Sequence, residues 1–453
     1  MLKKIIIICI FLMIIPIKIF ATSESFKGID ITENGDIVVA GKVYSTDIEG
    51  IELIGSSDAA IVKYDKNGSL LWNKNYGEIS TDSFEDIVVT NDGNYIAVGY
   101  SSFDSNTNSY NTDGIITKYD EDGNLKWGKR YGNEGEDKFN AVTELSDGSI
   151  VAVGYGLLDH QTDALVVKYD SQGNIVLETR YGGSKDDMFY GINKTSDGGF
   201  IAVGTSHSTD IEGLDNHSSS TSTGATVVKF DNNGNVEWQK AYGTSPYDYF
   251  HDVIETTDGY IVVGYEMYAS LRTLVVKYDF DGNIIWQKGY GEEDQRLYSV
   301  DIDENGNIVT VGWDHRNNEN GEKKYYVLVL KYSKDGELIN FKSLGGDEAD
   351  EAWAVVTIGN EYVVAGSFSS ENFEGLQLKG TLNAFSLKYN ENDENIWKIS
   401  WGGSVNPYTN QNSGETGVVE NPKTGYFSYC LIGFIIVCSS IVILYFMKNK
   451  KAI

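Results

Sequence analysis

Cysteine, proline, histidine and helical periodicity are all scarce in this chain, and each scarcity closes off a class of explanation. Of three cysteines in 453 residues, Cys9 lies in an apolar N-terminal run, and Cys430 and Cys438 lie in an apolar C-terminal one. The region between has none, which excludes disulfides, cysteine-ligated metal and a cysteine nucleophile there. Of the four prolines only Pro246 falls within 22–403, which suits strands that need their N–H groups. The five histidines (His160, His207, His217, His251 and His315) form no H-E-x-x-H and no i, i+4 pair, so no histidine metal motif is present. No G-x-S-x-G elbow occurs, and no long segment of 3.6-residue period lies between the two apolar ends.

Positive charge is also in deficit. The chain has 36 basic against 66 acidic residues, a formal charge of −30. Without the three lysines of the N-terminal run and the three that follow the C-terminal one, 30 basic residues remain and the net is −36. Such a surface argues against nucleic acid or anionic lipid as a partner, and fits an outer-surface protein or one that attracts cations.

The ends read as export and retention signals. Residues 1–21 carry Lys3 and Lys4, a short apolar run broken by Pro16 and Lys18, and a small residue, Ala21, at a cleavage position. That order marks a secretory signal peptide. From Tyr426 to Met447 there are 22 residues without a charge, enough to span a bilayer, followed by Lys448, Lys450 and Lys451. Directly before them stands "NPKTG". This arrangement resembles the sorting signals of Gram-positive surface proteins, an LPxTG-type motif, an apolar span and a basic tail. Asn421 stands where that family has Leu, Lys423 takes the variable position, and Pro422, Thr424 and Gly425 match. The resemblance implies that a sortase cuts between Thr424 and Gly425 and joins Thr424 to peptidoglycan. The plain alternative is a retained C-terminal membrane helix. Either way 421–453 is an anchor, and 404–420 a polar, flexible spacer.

What the chain has in abundance is repetition. A segment ending in Gly recurs as "ENGDIVVAG", "NDGNYIAVG", "SDGSIVAVG" and four relatives, closing at Gly41, Gly99, Gly154, Gly204, Gly264, Gly312 and Gly366. A second segment follows each, for example "IVKYDKNGSLLWNKNYG" and "VVKYDFDGNIIWQKGYG", with its Lys at 63, 118, 168, 229, 277, 331 and 388. Each unit contains four short β-rich runs bounded by Gly, Asn and Asp; in the second they are "FEDIVVT", "YIAVGY", "GIITKYD" and "NLKWGKRY". Four strands in about 50 residues is the period of a propeller blade, so the expected fold is a monomeric all-β seven-bladed β-propeller over 22–403. A β-solenoid is the competing architecture.

The D-x-D-G sequences of these units invite a calcium-loop reading, which fails on ligand spacing. In "KYDFDGNIIWQK" the first and last ligand positions fall on Lys277 and Lys288. Asp or Asn before Gly instead supplies a tight reversal between strands. The Trp that follows at 72, 127, 238, 286 and 397, replaced by Leu177 and Phe341, is expected to pack against a neighbouring blade. The pattern also resembles the repeat of pyrroloquinoline-quinone propeller enzymes. Those have eight blades and a cysteine pair at the cofactor, so no cofactor is carried over. It is similar as well to propeller repeats of bacterial surface proteins, some assigned to carbohydrate hydrolysis.

Naming the strands A to D, the B–C and D–A loops share one face. The B–C loops vary in length and are polar, and Tyr110, His160, Tyr268 and Trp313 are their candidate contact residues. At the D–A junctions, Glu24, Asp82, Asp137, Asp187, Asp248, Gln295 and Glu351 precede strand A. Two readings are open: each acid accepts hydrogen bonds from its own turn, or the ring of carboxylates holds Ca²⁺ at the channel mouth. The expected function is an extracellular binding or adhesion module for a glycan or protein ligand. The alternative is a carbohydrate-active, endoglucanase-like hydrolase using carboxylates at the mouth.

Overall fold

A computed structural model describes residues 23–404 apart from 104–110, 133–134, 159–160, 215–223, 244–246, 268–270, 292–293 and 318–320. The segments expected to be signal peptide (1–21) and anchor (421–453, with Asn421 to Gly425) and almost all of the expected spacer lie outside the described residues, as do Tyr110, His160 and Tyr268. Twenty-eight strands form seven separate four-stranded antiparallel sheets, each from one contiguous repeat. In the first, strands A to D are Ser25–Ile31, Ile37–Val43, Asp58–Tyr64 and Leu70–Tyr76. The others occupy 82–131, 137–181, 187–242, 249–290, 295–344 and 350–401. The described residues contain no helix. This is a seven-bladed β-propeller with four-stranded blades.

Each blade is apolar on both faces of strands B and C, and the core therefore lies between blades. One cluster joins Val38, Ala40, Ala59 and Ile61 of blade one to Phe84, Ile87, Tyr95, Ala97 and Ile115 of blade two. A Phe in strand A takes an aromatic partner from the last strand of the preceding blade: Tyr131 meets Phe139 and Tyr181 meets Phe189, both at 5.3 Å. Trp401 of blade seven stacks on Phe26 of blade one, also at 5.3 Å, and closes the ring. A short parallel bridge between Ser23 and Leu382 and the Trp397 indole N–H donating to the Lys66 carbonyl at 3.2 Å complete the closure.

The repeated side chains have repeated tasks. The buried strand-C lysines pair with acids of their own A–B hairpin, as in Lys118 to Asp92 at 2.9 Å, Lys229 to Asp197 at 2.9 Å and Lys277 to Asp258 at 2.6 Å. The strand-D Trp lies over the C–D turn of the next blade: Trp238 donates from its indole N–H to the Phe280 carbonyl at 3.0 Å. A Cβ on Gly282 in that turn would come within 2.9 Å of the Trp238 ring. Gly282 also has φ +77°, so both conformation and space call for glycine there. Asp279 caps the turn, accepting from the N–H groups of Asp281 and Asn283 at 3.0 and 2.7 Å. Blade seven carries Asp393 at φ 62° in the Gly position, where the preceding blade supplies Asn340, not the expected Phe341. Asn340 stands opposite Lys331 as Trp286 stands opposite Lys277, and donates to Asp393 at 2.5 Å. Phe341, one residue on, is half exposed beside Tyr290.

Candidate functional site: the collar of the central channel

Strand A of every blade carries a β-bulge at the same place, after the Phe-type residue that enters the interblade core. A bulge leaves one residue unpaired and re-aims its side chain. The seven unpaired residues are Lys27, Glu85, Asn140, Tyr190, His251, Tyr298 and Trp353, and all line the central channel, a cavity of about 480 Å³. The residue after each is Gly, Ala, Ser or Asp, because the innermost strands nearly touch. A Cβ on Gly28 would lie 2.7 Å from the Asp86 Cα.

The collar is aromatic on one side. Tyr190 and His251 are 5.1 Å apart, His251 and Tyr298 4.7 Å, and Tyr298 and Trp353 4.5 Å, while the Lys27 ammonium lies over the Trp353 ring at 2.9 Å. Burial, assisted by the nearby Arg296 guanidinium, pushes the His251 imidazole down to about 3, so this histidine is neutral. Burial also lowers the Lys27 ammonium to about 8, against the raising pull of Glu85 and Glu351. His251 Nε2 and Trp353 Nε1 are buried and have no hydrogen-bond partner.

Above the collar, strands A and B present a second tier at the mouth. Lys138 lies 4.6 Å from the Tyr100 ring and 5.8 Å from Tyr155, and pairs with Glu136 at 2.8 Å. Arg296 sits between Tyr265 and Trp313 at 4.6 and 4.8 Å, with Asp294 at 3.6 Å. Tyr249 packs on Tyr265 at 5.0 Å, and Trp313 donates to the Tyr298 hydroxyl at 3.0 Å. Below the collar, Asp30, Asp86, Asp252 and Asp301 each accept an N–H from the next blade, at Val89, Val142, Val300 and Thr357, over 2.7 to 2.9 Å. Burial raises all four carboxyls, Asp30 to about 6, Asp252 to about 7 and Asp86 to about 8, with mutual repulsion adding to it for Asp30, Asp86 and Asp252.

The acids expected to ring the mouth face the other way. Glu24, Asp82, Asp137, Asp187, Asp248 and Gln295 are buried at the base of the D–A turns. Asp82 accepts from the Glu78 N–H and Asp187 from the Gly183 N–H, both at 2.8 Å. Asp187 accepts further from Ser208 at 2.7 Å, Glu24 from the Ser45 N–H at 3.0 Å and Asp248 from the Met267 N–H at 2.9 Å. Asp137 has Arg180 at 3.6 Å, and Gln295 donates to Asp314 at 2.9 Å. In blade seven this register position belongs to Asp350, opposite Phe368 as Asp82 is opposite Ser101, and not to Glu351. Glu351 is one residue further on and turns toward the mouth, within the influence of Lys27 and Arg296. Among the described residues no three His, Cys, Asp or Glu side chains are grouped to hold a metal ion. The turn-capping reading is the one this geometry favours.

The collar was missed in the sequence although a signal exists. In strand A the residue after the core Phe takes six types in seven units, as does the residue before that Phe: "FKG", "FED", "FNA", "FYG", "FHD", "LYS" and "AWA".

No family model matches the chain. A stretch of 119 residues, 24% of the chain, is 31% identical to the regulatory protein FlaEY of Caulobacter vibrioides and spans 12% of that protein's length. Among solved structures, the WD40 β-propeller domain of Doa1 is 13% identical with a TM-score of 0.47, covering 78% of this chain and 92% of that domain. Sqt1 from Chaetomium thermophilum is 12% identical with a TM-score of 0.43, over 88% and 87% of the two chains. The Neurospora crassa Pan2 WD40 domain is 13% identical with a TM-score of 0.41, over 71% and 79%. The likeness is one of fold: a β-propeller resembling WD40 and other propeller proteins.

Proposed function

We propose that this chain is an exported, surface-anchored binding module whose interaction surface is the mouth and collar of the propeller channel. One observation carries the reading. Seven equivalent bulges direct seven residues into the channel, and almost no two are alike, whereas the positions on either side repeat. A purely structural position in a repeat tends to one residue type, as the strand-C lysines do; a position that contacts a ligand has no such reason. Export and anchoring are supported by the signal-like 1–21 and the sorting-like 421–453, which make sortase a transient partner and peptidoglycan or the membrane the site of attachment. The ligand is then extracellular, a glycan or a protein.

The test is a binding screen of the full-length chain against extracellular polysaccharides and proteins, repeated with Arg296→Ala at the mouth and Asn67→Ala on the opposite face. Binding lost in the first and kept in the second is the expected result; equal binding by both would end the assignment to the mouth. In the same experiment Thr424→Ala should move the chain from the wall to the membrane fraction. A hydrolase reading has one observation in its favour. Burial raises the Glu351 carboxyl, and Glu85 stands on the other side of Lys27, so an acid and a second carboxylate share the mouth. Reducing-sugar release that disappears in Glu351→Gln would establish it.

A further inference from the structure

The mouth differs electrically from the rest of the molecule. The chain carries −30 overall, yet the mouth brings together Lys27, Lys138 and Arg296 with Glu85, Glu136, Asp294 and Glu351. Lys138 and Arg296 have their own carboxylates at 2.8 and 3.6 Å. Lys27 lies between the fields of Glu85 and Glu351. The mouth groups number three cations to four anions, and the cavity below adds Asp30, Asp86, Asp252, Asp301 and Glu33 against Lys194. An anionic ligand therefore meets excess negative charge, while a cationic one meets aspartates already held by N–H groups of the next blade. What the site offers is aromatic surface together with polar groups left without partners.

We propose that the collar takes a neutral sugar residue of a glycan chain; this rests on the mouth being the binding surface. A pyranose ring is apolar on its faces and carries hydroxyls, each both donor and acceptor, around its rim. The aromatic arc of Tyr190, His251, Tyr298 and Trp353 supplies a continuous wall of touching rings 4.5 to 5.1 Å apart, with the Lys27 ammonium over the Trp353 face, so that a sugar packs along the wall and its hydroxyls meet Lys27. The remaining collar positions, Lys27, Glu85 and Asn140, supply donors and an acceptor across the channel. His251 Nε2 and Trp353 Nε1 are buried polar atoms without a partner in the protein, and leaving such atoms unpaired is costly. Because burial keeps His251 neutral, its ring adapts to a hydroxyl in either sense, according to tautomer. The cavity, about 480 Å³, is of the size that encloses one or two sugar rings. A glycan in this site is held at one end and leaves through the mouth past Tyr249 and Arg296.

The experiment uses the full-length chain and four neutral probes: cellohexaose, mannohexaose, xylohexaose and N-acetylchitohexaose, with hexagalacturonate as the acidic comparator. Calorimetry gives affinity, and tryptophan fluorescence reports on Trp353 and Trp313. At least one neutral hexamer is expected to bind, more tightly than hexagalacturonate. Its affinity should fall about tenfold or more in Trp353→Ala, which removes one ring of the wall, the unpartnered indole N–H and the platform under Lys27. Tyr249→Ala, at the half-exposed rim, should weaken it with a smaller fall in melting temperature than Trp353→Ala, which covers the case that the collar variant folds poorly. Failure of all four neutral probes, preference for the acidic one, or binding untouched by both substitutions overturns the proposal. Random peptides that select on the native chain and are lost with Tyr249→Ala would also overturn it, while leaving the mouth as the binding surface.

Discussion

Phe250 and His251 are neighbours on one strand and belong to two different proteins in all but covalent sense. Phe250 is wholly buried between blades, at a position that is Phe in five of the seven units; His251 lines the channel and has no like counterpart. The first is determined by what every blade must do to its neighbour. The second is exempt from that demand because the bulge lifts it out of the ladder. The difference separates the molecule into a repeated part that makes the ring and a singular part, one residue per blade, that faces whatever enters it.

The largest break of this contrast is expected from Phe250→Ala. It empties a fully buried site against Tyr242, whose ring is 5.4 Å away, and should cost about 3–5 kcal/mol. A lower urea midpoint would record it. Gly282→Ala follows. It places a Cβ at a left-handed residue and against Trp238, and should cost about 1–2 kcal/mol from the backbone alone. If Gly282→Ala leaves the melting temperature unchanged, the Trp-over-turn contact is not part of what holds blades together.

A pH dependence divides along the same line. Asp30, Asp86 and Asp252 have folded values of about 6, 8 and 7, above an unfolded value near 4. Their contribution to stability is present at low pH and is lost as pH rises through these values. Asp147 and Asp197, whose partial burial is opposed and together outweighed by hydrogen bonds and a neighbouring lysine, are held at about 2, act oppositely and lose theirs as pH falls below 4. His251, lowered to about 3, also favours the folded state more as pH rises toward 6.5. The melting temperature should therefore be highest in mildly acidic solution and lower at pH 8. His251→Phe should make the fall between pH 5 and 8 steeper while leaving stability at pH 8 little changed. A melting temperature that rises steadily from pH 5 to 8 in the native chain would contradict the raised carboxyls.

Much of the fold was legible because its determinants are local. In "KYDFDGNIIWQKGYG" the Asp that caps the turn, the Gly that reverses it and the Trp that reaches the next blade all stand within eight residues. The site was less legible. The run of acids before strand A was visible as a ring, but which side of the strand they occupy was not. Blade seven shows why. Ala352 occupies the slot that Phe fills elsewhere, so the large residue that seemed to mark it is Trp353, one position later. A strand shifted by one residue exchanges its faces. Glu351 thereby passes from the turn to the mouth, and Asp350 takes its place.

By itself the sequence determined the number of blades, their strands and their turns, because alternation and turn chemistry act over a few residues. Only the tertiary structure decided which side chains meet inside the channel. Asp86 and the Val142 N–H, or His251 and Tyr298, come together from different repeats. Their meeting depends on the bulge in each inner strand and on the ring being closed, and neither is a property of any one segment.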